Sequence, residues 1–217
     1  MKHFGSTCAC AVAAVFVLIG SAAAAPIIHG PENLNALGTY RLLPDTPGQE
    51  IEVFVRPDEN TTADSGETAD DEVQGVNFNI QVGDGGPEAG RSDDGPVITA
   101  VDLFTGTIFE GNNTGLGSGA GVLVPQVAFF STTTASGTVT ADGLLATVTI
   151  DTTGFFPEDG PFGLVLSQTL NNPTNFGTVS PEITDGQIVI VPEPGTLALF
   201  GLAGVALLHR SRRVDRR

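Results

Sequence analysis

From Val76 to Val82 every second residue is apolar. Val76, Phe78, Ile80 and Val82 fall on one side, and Asn77, Asn79 and Gln81 on the other. A period of two is met only by a strand, here with one face on a core and one in water. The same alternation places Ile51, Val53 and Val55 on one face of 50–55. It also places Leu144, Ala146, Val148 and Ile150 on one face of 144–150. Between residues 25 and 191 no stretch shows a convincing helical period. Strands are predicted near 40–43 and at 50–55, 73–82, 97–104, 107–109, 124–130, 162–166 and 187–191. A further segment, 138–150, reads as a hairpin turning at Asp142-Gly143, a dipeptide favoured where both turn residues need positive φ. About nine short strands separated by Gly, Pro, Asp and Asn make a single all-β sandwich or barrel.

The intervening segments read as loops. Residues 25–48 hold four prolines and are taken as an entry segment with one strand near Tyr40. Residues 56–72 are acidic and lack apolar periodicity. Residues 83–95 are turn-rich, and 111–121 carry five glycines and read as a flexible loop. No internal repeat is present.

Composition narrows function by what it omits. Residues 25–191 contain no Cys, Lys, Trp or Met, one His (His29) and one Tyr (Tyr40). Three arginines, Arg41, Arg56 and Arg91, stand against 23 Asp and Glu, a formal charge of −20. Disulfides are excluded, so burial alone must hold the domain. A Ser-His-Asp or Cys-His site needs a positioned base, and His29 lies in a proline-flanked segment. Zinc sites want Cys and His clusters. Phosphate loops want Lys. Nucleic acid is repelled by this charge. The expectation is a protein that is not an enzyme.

Both ends read as export signals. Lys2 and His3 precede an apolar stretch, Ala11 to Gly20, then Ser21-Ala22-Ala23-Ala24-Ala25. That is the pattern of a secretory signal peptide, taken as residues 1–24, cut by signal peptidase after Ala24. At the other end, Val191-Pro192-Glu193-Pro194 is followed by an uncharged apolar run, 195–208. Arg210, Arg212, Arg213, Arg216 and Arg217 then close the chain. The prolines forbid a regular helix or strand at the junction. The run is short for a bilayer span, which needs about 20 residues, and the arginines favour a cytoplasmic end. The tail, residues 192–217, resembles the PEP-CTERM sorting signal of Gram-negative bacteria. The resemblance implies a transmembrane sorting helix that anchors the chain transiently, recognition by an exosortase, and delivery to the cell surface or extracellular matrix.

Three segments of the domain, 73–82, 142–150 and 181–190, resemble strands of the cohesin family. That resemblance implies a nine-stranded jelly-roll sandwich over residues 49–191, related to carbohydrate-binding modules. Two functions follow as expectations. One is a structural or adhesion protein of the exopolysaccharide or biofilm matrix. The other is a cohesin-type module that binds a dockerin-like partner or a glycan. No cofactor is expected. Calcium is the one ion left open, because the loop 84–94 offers oxygen ligands, with Asp84, Asp93 and Asp94 as candidates. Solvated charge is the simpler reading of the same residues.

Overall fold

The computed structural model describes residues 25–58, 72–92, 95–117, 121–170, 172–177 and 179–192. The signal segment 1–24, most of the acidic loop and the tail from residue 193 lie outside the described residues. Thirteen strands follow in chain order, against the nine expected. The first five are β1 (Ile27–His29), β2 (Thr39–Leu42), β3 (Gln49–Arg56), β4 (Glu72–Val73) and β5 (Gly75–Val82). After a single 3-10 turn come β6 (Val97–Asp102), β7 (Val122–Val124), β8 (Val127–Thr133) and β9 (Val139–Thr140). The last are β10 (Gly143–Asp151), β11 (Phe162–Val165), β12 (Glu182–Ile183) and β13 (Gly186–Ile190). Among the described residues no helix is long and apolar enough to cross a membrane.

The strands form a five-stranded sheet, β12-β1-β3-β10-β6, and a six-stranded sheet, β2-β13-β11-β5-β8-β7. A small pair, β4-β9, stands apart. Ile51, Val53, Val55, Ile98, Val148 and Ile150 of the first sheet share one apolar core with residues of the second. Those partners include Phe78, Ile80, Val82, Leu164, Ile188 and Ile190. Two sheets that each bury one face against the other are the stable outcome for this alternation. The protein is all-β, as its periodicity predicts.

The first and last described segments are woven into both sheets. β1 pairs in parallel with β12, and β2 in parallel with β13. Segment 25–48, read as an entry, thus supplies a strand to each sheet and sends Ile28, Leu37, Tyr40 and Leu42 into the core. The strand expected near 40–43 is β2, whereas β1, of three residues, is too short to show a period and was not expected.

Three other expectations change. Val139 and Thr140 pair with β4 and make no hairpin with β10. Both edges of β10 are already taken, by β3 and β6. Asp142-Gly143 is a corner between sheets, with Gly143 at φ 138°. Within β10 a bulge between Leu144 and Ala146 shifts the register, so Leu145 is buried and Leu144 is not. Finally, 107–109 is a turn run. The Thr107 hydroxyl donates to Leu103 C=O at 2.6 Å and accepts from Phe109 N–H at 3.2 Å, bonds that replace a strand ladder.

Three residues of the glycine-rich segment, Thr114, Gly117 and Gly121, lie beside β8. The amides of Thr114, Gly117 and Gly121 donate to the carbonyls of Thr133, Ser131 and Phe129.

Candidate functional site

β13 lies inside the six-stranded sheet. β11 pairs with it on one side through Gly186–Ile188, and β2 on the other through Gln187–Ile190. Ile188 and Ile190 point into the core. The pairing runs to the last possible residue: Val191 N–H donates to Leu42 C=O at 2.8 Å. Pro192 has no N–H to continue it and is exposed. Glu193, Pro194 and the arginines 210, 212, 213, 216 and 217 lie outside the described residues.

Leu42 in turn enters a turn locked by side chains. Gln49 Oε1 accepts from Leu43 N–H at 2.7 Å, and its amide donates to Leu43 C=O and Thr46 C=O, each at 3.1 Å. The buried Thr152 hydroxyl donates to Leu43 C=O at 2.7 Å and accepts from Gln49 at 3.0 Å. Asp45 adopts φ 46° there, and its carboxylate accepts from Gly154 N–H at 3.0 Å. Phe155 packs edge-on against Phe162 with ring centres 5.4 Å apart, while Phe156 is 46 % exposed. Of the adjacent pair Phe155-Phe156, one ring therefore plugs the sandwich end and one faces water.

Residues 191–213 match the PEP-CTERM protein-sorting motif. The motif implies processing by an exosortase. It also implies export and sorting to the cell envelope or surface of a Gram-negative bacterium. No curated protein and no solved structure matches the chain. The PEP-CTERM motif thus begins on the residue at which the sheet stops.

The body ahead of the PEP-CTERM motif carries a groove of about 470 Å³ that sequence reasoning did not point to. Gly75, Asn77, Ser131 and Thr133 of β5 and β8 line it, with Glu72, Thr138, Phe176 and Val179 around them. Asn77, Ser131 and Thr133 alternate with core-facing Val76 and Thr132, so they present amide and hydroxyl groups on the outer face. Asn77 Nδ2 donates to Asn175 Oδ1 at 2.9 Å, and the Thr138 hydroxyl donates to the Glu72 carboxylate. The lining comes from five separate stretches of chain, and only the three-dimensional pairing brings them together.

The calcium candidates are divided. Asp84 Oδ1 accepts from Gly86 N–H at 3.0 Å and Oδ2 from Ser92 N–H at 3.3 Å, so both oxygens hold their own loop. Asp93 and Asp94 lie outside the described residues. Among the described residues no group of three His, Cys, Asp or Glu could hold a metal ion. His29 is buried and stacked on Phe54 at 5.7 Å, its Nδ1 2.9 Å from Gly30 C=O. With Arg56 and Asp142 it lines a second cavity, of about 370 Å³, whose lining includes no Ser, Thr or Cys.

Among the described residues Tyr40, Asp102 and Asp151 carry shifted pKa values. Burial, with the Glu52 charge added, pushes the Tyr40 phenol far up, and its hydroxyl donates to Glu52 C=O at 2.7 Å. At Asp102 partial burial acts upward, but bonds from Phe104 N–H, the Thr105 hydroxyl and Thr105 N–H outweigh it and lower the carboxyl. Asp151 is lowered by the Thr153 hydroxyl and N–H. All three serve turns or the core.

Proposed function

We propose that the chain is a secreted, surface-sorted, non-enzymatic protein. Its sandwich is of the cohesin-like jelly-roll kind and serves as a structural or adhesion module in the exopolysaccharide or biofilm matrix. One observation carries this reading. The sorting motif starts on Val191, directly after the last core strand, so the two-sheet body is what sorting delivers. The −20 charge of residues 25–191, without lysine, keeps such a body soluble and self-repelling in a crowded matrix. The groove supports a second reading, a module that binds glycan. Its Asn77, Ser131 and Thr133 present the donors and acceptors that sugar hydroxyls bond.

Fractionation of the native host tests the first reading. The processed body is expected in the extracellular matrix and is released by digesting the polysaccharide. Recovery of the full chain, Arg217 included, in the inner membrane would overturn it. The second reading is tested by binding to isolated host polysaccharide. A Ser131→Val, Thr133→Val double variant that still folds should bind several-fold more weakly.

A further inference from the structure

We propose that the groove beside β4, β5 and β8 selects a glycan that carries free amino groups. This rests on the reading of that groove as a glycan site, and it names the class of sugar. The volume of about 470 Å³ falls within the range of about 300–1,000 Å³ usual for ligand clefts.

Charge decides between sugars. Among the described residues Glu72 is the one ionisable side chain in the lining, and no Arg, Lys or His stands beside it. The side chain is exposed, yet it is held in place. β4 pairs Glu72 with Thr140 of β9, and the Thr138 hydroxyl donates to Oε2. Oε1 makes no hydrogen bond or ion pair among the described residues, so its lone pairs are left for a donor from outside. An ammonium donor brings a charge attraction that a hydroxyl lacks. A uronate or sulfated sugar would bring an anion to a carboxylate, with no cation in the lining to receive it. The wider field acts in the same direction. Residues 25–191 carry a formal charge of −20, which concentrates cations and repels anions over a Debye length, about 8 Å at physiological salt. Asn77, Ser131 and Thr133 supply the amide and hydroxyl contacts that any sugar ring can use. They set affinity, and Glu72 sets the class.

The experiment titrates protein isolated from the native host with tetrasaccharides of glucosamine, of N-acetylglucosamine and of a uronic acid. Low salt and mildly acid pH keep the amine charged. The glucosamine oligomer should bind several-fold more tightly than the N-acetylated one, and the uronate should not bind measurably. Glu72→Gln should bring the glucosamine oligomer down to the N-acetylated level and leave the N-acetylated one unchanged. Glu182→Gln removes an exposed charge on β12, outside the lining, and should change neither. If both substitutions weaken glucosamine binding equally, or neither does, the attraction belongs to the overall charge and the assignment to the groove falls. Neutral or acidic oligomer bound by wild type as tightly as the amino sugar overturns the class and leaves the glycan reading standing. If none of the three oligomers binds, the class is overturned. If isolated host polysaccharide then fails to bind as well, the glycan reading falls with it.

Discussion

One hydroxyl joins Thr174 to both backbone groups of Asn79. Thr174 Oγ1 accepts from Asn79 N–H at 2.9 Å and donates to Asn79 C=O at 2.7 Å. β11 pairs with β5 only at Gln81 and Val82, so residues 77–79 would otherwise have an open edge. The return loop fills it: Asn175 exchanges backbone bonds with Asn77, and Thr174 stands in for a strand at Asn79. Leu170 N–H is accepted by Gln81 Oε1 at 2.9 Å. Asn79 and Gln81 are consequently buried, although their alternation with Phe78 and Ile80 reads as a water-facing side.

Removing that hydroxyl should be costly. Thr174→Val keeps the shape and strands two buried backbone groups, each worth about 1–3 kcal/mol. Thr174→Ser should stay near wild type. Thermal melting decides, since each kcal/mol moves the midpoint by roughly 2–4 °C in a domain of this size. Equal midpoints for Val and wild type would mean that the loop does not cap β5.

The same contrast shows what was legible. Inward positions of the long strands, such as Ile51, Val53, Phe78, Ile80 and Val148, follow from alternation because burial of one face depends on local sequence alone. Pairing partners do not. A strand near 40–43 was legible and β1 was too short to be, but the parallel partners of both lie some 150 residues away. The sorting tail was legible because order and composition define it, whereas the groove needs β4, β5, β8 and the residues Phe176, Gly177 and Val179 side by side.

The bulge in β10 makes a second test. Alternation from Val148 backwards puts Leu144 inside, but the register shift puts Leu145 there. Leu145→Ala should cost about 2–5 kcal/mol as a fully buried leucine. Leu144→Ala should cost clearly less. Denaturant midpoints of the two variants check this, and the reverse order would remove the bulge.

Acid stability should carry a signature of Asp102. Its carboxyl is lowered below the ordinary 3.8 because the folded turn donates hydrogen bonds to the charged form. A lowered folded value gives stability that is complete above 3.8 and is lost as pH falls through the lower, folded value. Protonating the many other carboxylates relieves self-repulsion and acts in the opposite direction, so the useful quantity is a difference. Wild type should exceed Asp102→Asn at neutral pH, and the gap should close below pH 3.8. A gap that is constant with pH would show that the charge does not contribute.

Calcium dependence is decided at Asp84. An oxygen that already accepts a backbone amide can also meet a cation, but these two are aimed at Gly86 and Ser92, inward on their own loop. Gly85 and Gly86, at φ 100° and 75°, give the backbone the turn that brings the Gly86 amide to this carboxylate. Melting curves in EDTA and in millimolar calcium should therefore coincide. Specific binding would raise stability by mass action, about 2.7 kcal/mol at a hundredfold excess over the dissociation constant. That is a shift of several degrees, easily seen. If it appears with calcium and not with magnesium, and vanishes in Asp84→Asn, the loop is a site and Asp93 and Asp94 are the next residues to replace. If Asp84→Asn lowers the midpoint equally with and without calcium, the carboxylate's work is to hold Gly86 and Ser92.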